Sequence, residues 1–311
     1  MQMKVAVIGA GFVGATTGQR IAESGLADVV VLDVAGGIAK GKCLDLQQAA
    51  PVVGHSQRIL GTGDYADCTD ADIVVMTAGV PRKPGMSRDD LLKVNAEIVS
   101  ECMKKSAEVA PNSMVIMVTN PLDVTTYIAG EVTGFSKNRI MGMAGVLDST
   151  RFRAFIGMEL GVSGEDVSAM VLGGHGDSMV PISRSATVAG IPLLDLMDQE
   201  KIDEIVDRTR VAGGEIVQLL GTGSAFYAPA AGVEQMVAAI LRDEKRILPV
   251  SVWLDGQYGI SGVYLGVPVK LGADGVEEII EVKLTDEESE ALKASAEAVR
   301  QVVAEYEAMV G

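Results

Sequence analysis

The first half of the chain alternates short apolar runs with longer stretches of helical periodicity. The apolar runs predict strands at residues 5–8, 29–33, 59–60, 73–77, 114–119 and 139–143. Amphipathic stretches between them predict helices at residues 12–24, 39–50, 89–109 and 122–132. We expect Pro51 to end the second of these helices, because the residue before a proline disfavours the helical conformation. Strands that alternate with helices in this way are typical of a parallel sheet covered on both faces.

The second half of the chain has a different pattern. It predicts helices at residues 149–160, 202–220 and 233–242, and strands at 248–254, 263–265, 267–271 and 276–283. A glycine-containing turn at residues 272–275 is expected to join the last two strands as an antiparallel hairpin. Thr285 and Glu288 have the spacing of a capping box, which predicts the start of a C-terminal helix.

These two patterns together predict an α/β fold with two domains. Residues 1–144 are expected to form a doubly wound parallel sheet, and residues 145–311 an α+β domain. The pattern changes near residue 144 without a linker, so we expect the two domains to share an interface and a cleft.

A glycine-rich segment follows the first predicted strand and opens the first predicted helix. The segment, a GxGxxG pattern, consists of Gly9, Ala10, Gly11, Phe12, Val13 and Gly14. In a strand–turn–helix context this pattern binds the phosphates of a dinucleotide in a Rossmann domain. Asp33 ends the next strand, where a carboxylate accepts hydrogen bonds from ribose hydroxyls and repels a 2′-phosphate. We therefore predict an NAD site; the alternative is a glycine-rich turn that binds no ligand.

His175 is the leading candidate for a proton-transfer group. It is one of two histidines, it follows a predicted strand at residues 167–172, and glycines flank it on both sides. An imidazole has an ordinary pKa of about 6.5, so it can accept and donate a proton near neutral pH. Taken alone, the pattern is equally compatible with a loop histidine that makes a structural hydrogen bond.

Two arginines and an asparagine are candidates for binding an anionic substrate. Arg82 and Arg88 lie in a loop rich in proline and glycine, and their two-pronged guanidinium groups suit carboxylates. Asn120 ends a predicted strand, at the edge of the sheet where ligands bind in α/β folds. The alternatives are a solvated basic loop and an ordinary Asn-Pro turn.

Asp148 and Arg151 share one face of a predicted helix, because they are spaced i, i+3. One interpretation is a helical ion pair between the two side chains. The other separates their roles: Asp148 orients the imidazole of His175 and stabilises its charged form, and Arg151 binds a carboxylate.

Composition limits the classes of partner. The chain has 311 residues, of which 48% are hydrophobic, and a formal net charge of −16. Because nucleic acids and anionic membranes attract basic patches, we expect neither as a partner. Cys43, Cys68 and Cys102 lack metal-ligand spacing, so we expect no metal site, and reduced thiols in a cytoplasmic protein. We recognise neither a targeting segment nor an apolar run of about 20 residues.

Together these segments resemble the lactate/malate dehydrogenase family over essentially the whole chain. The resemblance rests on the glycine loop, Asp33, the arginine loop and the segments at residues 118–121, 147–151 and 173–177. Within the family, the chain is most similar to the bacterial, lactate-dehydrogenase-like malate dehydrogenases. The resemblance implies interconversion of L-malate and oxaloacetate with NAD in the tricarboxylic acid cycle. It also implies a homo-oligomer, as a tetramer in preference to a dimer.

The resemblance assigns a role to each candidate in the reaction. It makes His175 and Asp148 the acid–base pair, in which His175 accepts the proton during malate oxidation. Arg88 is expected to polarise the substrate carbonyl, and Arg151 and Asn120 to bind the substrate.

The resemblance also separates cofactor contacts from substrate specificity. Asn95, Val118, Thr119 and Asn120 match cofactor-contacting positions, and the bond before Pro121 resembles one that is cis in the family. Arg82 falls where malate enzymes carry arginine and lactate enzymes usually carry glutamine, and the small Ala225 leaves space for a second carboxylate. The alternatives are an L-lactate or other 2-hydroxyacid dehydrogenase, and an NAD-binding protein without catalysis, which has no use for His175 and the arginines.

Overall fold

The computed structural model describes residues 2–81 and 87–310, and of Arg88 it describes the backbone alone. Within these residues, the N-terminal part contains the strands β1 (Lys4–Ile8), β2 (Asp28–Leu32), β3 (Ile59–Thr62), β4 (Ile73–Met76), β5 (Met114–Met117) and β6 (Ile140–Gly142). Its helices are α1 (Phe12–Glu23), α2 (Gly36–Val53), α3 (Arg88–Val109) and α4 (Leu122–Thr133). These strands run parallel in the order β6-β5-β4-β1-β2-β3. The predicted doubly wound sheet is confirmed.

The strand order reverses where β1 lies between β2 and β4. Val5 of β1 pairs with Val29 on one side and with Ile73 on the other. The three strands are buried along almost their whole length, because helices cover both faces of the sheet. At such a reversal the loops after the strands diverge to opposite faces, so a crevice opens at the carboxyl ends of β1 and β4.

The C-terminal part begins with α5 (Gly145–Leu160) and ends with α8 (Asp286–Val310). Two further helices lie between them, α6 (Gln199–Leu220) and α7 (Tyr227–Leu241). The strands are β7 (Val167–Ser168), β8 (Val171–Leu172), β9 (Val180–Pro181), β10 (Thr187–Val188), β11 (Ile191–Pro192), β12 (Arg246–Asp255), β13 (Ser261–Gly272) and β14 (Gly275–Ile279).

The parallel sheet continues into the C-terminal part. β12, β13 and β14 pair antiparallel with one another, and β12 pairs with β6 at Ser251 and Gly142. In the described part of the chain, this makes one nine-stranded sheet that runs through both predicted domains. The division into residues 1–144 and 145–311 stays a prediction.

Two predicted boundaries are wrong for identifiable reasons. α2 continues through Pro51 to Val53, because the fixed φ of proline is itself a helical value, and the left-handed Gly54 ends the helix. The predicted strands 263–265 and 267–271 form the single strand β13. Gly266 lies at a close contact in this strand and not at a turn. It exchanges backbone hydrogen bonds with Gly173, and a Cβ on it would lie 2.4 Å from the Gly173 oxygen.

Elements with strong local signals match their predictions more closely than short ones. The turn at residues 272–275 is confirmed, although β14 ends at Ile279, earlier than predicted. The capping box is confirmed too: Glu288 N–H donates to Thr285 Oγ1 at 3.2 Å, and Thr285 N–H donates to the Glu288 carboxylate at 2.9 Å. The prediction missed β9, β10 and β11, because a two-residue strand carries no recognisable alternation.

Two kinds of feature are absent from the described part of the chain. Among residues 2–81 and 87–310, no helix is both long and apolar enough to cross a membrane. The same residues contain no cluster of three or more His, Cys, Asp or Glu side chains that could hold a metal ion.

The cysteines are free thiols, and burial raises the pKa of Cys43 to about 11 and that of Cys68 to about 12. These two thiols therefore stay protonated near neutral pH.

Candidate active site

The glycine-rich loop turns from β1 into α1 at the crevice beside β4. Gly9 has a φ of +108°, and a Cβ on Gly14 would lie only 1.9 Å from the Gly9 oxygen, so the turn and the helix require glycine at both positions. Apart from Gly11 itself and its two chain neighbours, no described residue has an atom within 4 Å of the place that a Cβ on Gly11 would take. α1 begins at Phe12, and its N-cap, Gly11, has no side chain to cap the first N–H groups. These donors therefore remain for an anionic ligand.

Asp33 follows β2 and holds the glycine loop in place. Its Oδ2 accepts a hydrogen bond from the Ala10 N–H at 2.7 Å, and its Oδ1 accepts one from the Ala35 N–H at 2.9 Å. Each carboxylate oxygen keeps a second lone pair, which can accept a hydrogen bond from a ribose hydroxyl. The neighbouring Val34 is 99% exposed and offers no cation to a 2′-phosphate. The open space before Gly11, the uncapped N–H groups and this carboxylate fit NAD.

Asn95 and Thr119 fasten together the loops that follow β4 and β5. The buried Asn95 side chain accepts a hydrogen bond from the Val80 N–H at 2.8 Å and donates to the oxygens of Val80 and Asn120 at 3.2 and 2.7 Å. Thr119 Oγ1 donates to the Ala78 oxygen at 2.8 Å. The Asn95 amide therefore uses both of its protons on backbone oxygens. The predicted cofactor contacts of Asn95, Val118 and Thr119 stay predictions.

The segment with Ala225 lies against the glycine loop. Phe12 is exposed, and its ring stacks on that of Phe226, with the ring centroids 5.2 Å apart. Ala225, the residue before Phe226, is half-buried, as is Val13 in the glycine loop. This contact brings the predicted substrate-pocket segment between α6 and α7 to the cofactor loop.

His175, Asp148 and Arg151 form one hydrogen-bonded group between α5 and the loop after β8. His175 Nδ1 lies 2.8 Å from Asp148 Oδ2, and Arg151 Nη1 lies 3.3 Å from Asp148 Oδ1. The Asp148 side chain is 2% exposed, against 14% for His175 and 13% for Arg151. Asp148 therefore contacts both His175 and Arg151, so the helical ion pair and the contact with His175 are present together. The roles expected of Asp148 and Arg151 in the reaction stay predictions.

Burial and the charge of Asp148 shift the pKa values of His175 and Arg151 in opposite directions. Burial by itself lowers the pKa of His175, but the charge of Asp148 and its hydrogen bond outweigh burial and raise the pKa above its usual value. Burial lowers the pKa of Arg151, and Asp148 opposes that change. Arg151 Nε is buried and has no hydrogen-bond partner among the described residues. A substrate carboxylate is the kind of acceptor that this guanidinium lacks.

Two residues of the site were missed by the sequence analysis. Asp123, in the first turn of α4, accepts a hydrogen bond from the backbone N–H of His175 at 2.8 Å. Lys42 of α2 donates to the Ala10 oxygen at 2.7 Å and lies 5.2 Å from the centroid of the Phe12 ring. The one available signal for Asp123 was a carboxylate in an otherwise apolar helix start; nothing in the sequence pointed to Lys42.

A cavity of about 590 Å³ brings two of the predicted substrate-site residues together. His175 and Asn120 both line it, next to Asp123 and to Val299 and Val302 of α8. The cavity lies between α3 and α4 of the N-terminal part and α8 of the C-terminal part, where the sequence predicted a shared cleft. The bond between Asn120 and Pro121 is cis, as the family resemblance implied.

Residues 82–86 of the predicted arginine loop, Arg82 among them, lie outside the described residues, and so does the side chain of Arg88. Arg88 is the first residue of α3, and a capping box fixes that helix start: Asp90 N–H donates to Ser87 Oγ at 3.0 Å, and Ser87 N–H donates to Asp90 Oδ2 at 3.1 Å. The roles expected of Arg82 and Arg88 stay predictions.

Two models of one protein family together match nearly the whole chain. Residues 3–142 match the family model described as lactate/malate dehydrogenase, NAD binding domain, and residues 145–310 match lactate/malate dehydrogenase, alpha/beta C-terminal domain. The chain belongs to the lactate/malate dehydrogenase family. The predicted family, Rossmann fold and NAD cofactor are therefore confirmed.

Relatives in the lactate/malate dehydrogenase family cover nearly the whole chain. The malate dehydrogenase of Roseiflexus sp. is 54% identical over 309 residues, which are 99% of this chain and 100% of that protein. The malate dehydrogenase of Trichormus variabilis is 56% identical over 297 residues, 96% of this chain and 92% of that protein. The structure of malate dehydrogenase from Salinibacter ruber has a TM-score of 0.95 at 50% identity, covering 99% and 98% of the two chains. A Cryptosporidium parvum lactate dehydrogenase complexed with lactic acid and the dinucleotide has a TM-score of 0.94 at 42% identity, covering 97% of each chain.

Proposed function

We propose that this protein catalyses the NAD-dependent interconversion of L-malate and oxaloacetate, the activity of a malate dehydrogenase. The observation that carries the proposal is the hydrogen-bonded group of His175, Asp148 and Arg151, which combines a proton-transfer side chain with a cation for a carboxylate. Of this group, His175 lines the cavity that Asn120 also lines, in a chain whose first half is a family NAD-binding domain. The relatives at 54% and 56% identity are named malate dehydrogenase, which supports this substrate over lactate.

His175 acts as the general base in oxidation and as the general acid in reduction. Because Nδ1 faces Asp148, Nε2 is the atom that takes the proton of the malate hydroxyl group. Asp148 stabilises the imidazolium that forms, and it holds the neutral ring in the tautomer with a proton on Nδ1. NAD, which the glycine loop and Asp33 would hold, would supply the acceptor for the hydride of malate C2. Acid–base catalysis of this kind accelerates a reaction by about 10²–10⁴-fold.

Two arginines and an asparagine bind the substrate around its reacting carbon. Arg151 binds the carboxylate next to C2 through its free Nε and its second Nη, while Nη1 keeps its contact with Asp148. Asn120 hydrogen-bonds the substrate from the cavity wall. Arg88 polarises the reacting carbonyl, and losing an aimed donor of this kind costs about 3–4 kcal/mol in the transition state.

Arg82 selects a dicarboxylate over a monocarboxylate. It pairs with the second carboxylate of oxaloacetate, whereas the methyl group of pyruvate leaves the guanidinium without a partner. A polar site left unpaired rejects the wrong substrate by up to about 10⁴–10⁵-fold.

The test is a panel of 2-oxo acids assayed with both NADH and NADPH. We expect oxaloacetate with NADH to give the highest kcat/KM. We expect Arg82→Gln to lower kcat/KM for oxaloacetate strongly and to improve the relative use of pyruvate, while Lys83→Gln, the same charge change in the same loop, keeps the preference. An unchanged preference in Arg82→Gln refutes the role of Arg82. If pyruvate is the best substrate of the wild type, the protein is instead a lactate dehydrogenase.

We further propose a homotetramer, with a dimer as the alternative, that works in the cytoplasm and in the tricarboxylic acid cycle. Large apolar side chains are exposed on two helices, α2 and α6, and such surfaces mark protein interfaces: Ile38, Leu44, Val52, Val211, Leu219 and Leu220. Sedimentation equilibrium measures the assembly directly. A mass four times that of the chain supports the tetramer, and a mass equal to one chain overturns the proposal of an oligomer.

A further inference from the structure

The loop that carries His175 is anchored through three successive backbone N–H groups. Gly173 N–H donates to the Gly266 oxygen of β13 at 2.8 Å, and Gly174 N–H donates to Ser295 Oγ of α8 at 2.8 Å. The third, the N–H of His175 itself, donates to Oδ2 of Asp123 at 2.8 Å. Three elements from different parts of the chain therefore hold the loop, and one of the three anchors is a carboxyl group.

Asp123 uses both of its oxygens within the protein. Its Oδ1 accepts a hydrogen bond from Ser251 Oγ at 2.7 Å, and Ser251 is fully buried on β12 at the point where β12 pairs with β6. Asp123 itself is 5% exposed. Burial raises the pKa of Asp123 above its usual value, and the hydrogen bonds from Ser251 and from the His175 N–H oppose that rise without cancelling it. A neutral amide could satisfy the same two partners, so the position of a carboxylate here points to a use for its charge.

The charged groups that shift the pKa of His175 come from two helices, and in the described residues the carboxylates of Asp89, Asp177 and Glu305 line the same cavity as His175. Asp148 and Arg151 lie on α5, and Asp123 lies on α4. Burial lowers the pKa of His175 most, the charges of Asp148 and Asp123 raise it, and Arg151 lowers it. Asp148 acts at the ring itself, whereas Asp123 acts from the backbone side of the same residue.

We propose that Asp123 is a positioning residue for the acid–base step, which fixes the backbone of His175 and places a second negative charge behind its imidazole. The proposal rests on the proposed role of His175. Its effect is to favour the imidazolium, the form that donates a proton in the reduction of oxaloacetate. The neutral anchors Gly266 and Ser295 supply position alone, so the charge is what distinguishes Asp123 from them.

Asp123→Asn separates the charge from the hydrogen bonds. The amide oxygen can face the His175 N–H, and the amide N–H group can face Ser251 Oγ, which is able to accept. Both anchoring contacts are then kept, and the negative charge is lost. Ser295→Ala is the matched control, because it removes a neutral anchor of the same loop and leaves Asp123 in place.

The primary measurement is an NMR pH titration of the imidazole resonances. The chain has two histidines, so His55 serves as the internal reference; it precedes β3 at the far edge of the sheet. We expect the His175 midpoint in Asp123→Asn to fall, because a nearby carboxylate favours the charged form of an imidazole and the amide does not. We expect the midpoint in Ser295→Ala to stay at the wild-type value. This readout needs no substrate, so it is independent of whether malate is the substrate.

Kinetics supply the second measurement. The reduction of oxaloacetate needs the imidazolium, so its kcat/KM falls as pH rises through the His175 pKa, and in Asp123→Asn that fall moves to lower pH by the same amount. The oxidation of malate needs the neutral ring, so its acid limb moves to lower pH as well. A purely structural loss lowers both rates at every pH and leaves the midpoints in place.

An equal midpoint in wild type and Asp123→Asn overturns the proposal, and so does a shift that Ser295→Ala reproduces. If Asp123→Asn does not fold, Asp123→Ser decides the question, because it also removes the charge and replaces the carboxylate with a smaller, neutral hydroxyl group. We expect the His175 midpoint to fall in this variant as well. A midpoint in Asp123→Ser that matches the wild type then contradicts the role of the Asp123 charge.

Discussion

Replacement of Asp148 by asparagine is the sharpest perturbation of the proposed acid–base pair. The two carboxylate oxygens of Asp148 serve two donors, with His175 Nδ1 at 2.8 Å and Arg151 Nη1 at 3.3 Å. An amide has a single oxygen, so in Asp148→Asn one of the two partners must face an N–H group. The permanent charge of Arg151 competes better for the oxygen than a neutral imidazole does. The ring of His175 then faces the amide N–H, and its proton moves to Nε2, the atom that has to accept the proton from substrate.

The size of the effect follows from this change of tautomer and charge. Loss of the acid–base contribution lowers kcat by about 10²–10⁴-fold, which is about 3–5 kcal/mol in activation free energy. The substitution also removes the carboxylate that raises the pKa of His175, while burial continues to lower it. The pKa of His175 therefore falls, and the pH limb of oxaloacetate reduction moves to lower pH.

The same change alters the pH dependence of the free energy of unfolding. A folded-state pKa above the ordinary value means that protonated His175 stabilises the wild type below about pH 6.5, and this contribution is lost as pH rises through the folded-state pKa. Asp148→Asn removes the contribution, so it destabilises the fold more at mildly acidic pH than at pH values above the pKa.

The assay measures kcat and KM in both directions over a range of pH, with NADH affinity and urea unfolding as controls for an intact fold. NADH affinity is expected to stay near the wild-type value, because the glycine loop and Asp33 are untouched. A kcat within about tenfold of wild type, about 1.4 kcal/mol, refutes the role of Asp148, as does an unshifted pH limb.

Two further predictions concern the cofactor loop and the carboxylate cation. Gly14→Ala places a Cβ 1.9 Å from the Gly9 oxygen, so we expect it to lower both the free energy of unfolding and NADH affinity. Gly11→Ala places a Cβ in open space, so we expect it to lower NADH affinity alone. Equal losses of unfolding free energy in the two variants contradict this distinction. Arg151→Lys replaces a planar fork with a point charge, while Asp148 keeps a cationic neighbour. We expect a higher KM for oxaloacetate and a loss of about 2–3 kcal/mol of transition-state stabilisation, measured from kcat/KM. An unchanged KM contradicts carboxylate binding by Arg151.

The sequence predicted the sheet well where the pattern was long or its context specific. The glycine segment at the end of β1 was recognisable, because the turn, the start of the helix and the carboxylate of Asp33 all lie within about 25 residues of one another. Gly266 was misread, because its reason for being glycine is the Gly173 backbone, which lies far away in sequence. Pro51 was misread because its fixed φ is compatible with the helix that it was expected to end.

The candidate site was predictable in its chemistry but not in its network of contacts. His175 and Arg151 stood out as the residue types for proton transfer and carboxylate binding. The sequence left open whether Asp148 serves one of them or the other, and in the structure it serves both. Asp123 was overlooked, because a carboxylate two residues after a proline resembles ordinary helix-start chemistry until its buried partners are known.

By itself, the sequence determined the local structural motifs: strands that alternate with helices, a phosphate-binding loop followed by an acidic residue, and a histidine between glycines. Such features depend on neighbours within one supersecondary unit, so periodicity and spacing are enough to recognise them. Tertiary structure alone decided which carboxylates reach His175, since Asp148 is 27 residues away along the chain and Asp123 is 52 residues away. Two helices and an extended sheet have to pack before those oxygens meet one imidazole, and it is in this buried, weakly screened setting that their charges set its proton affinity.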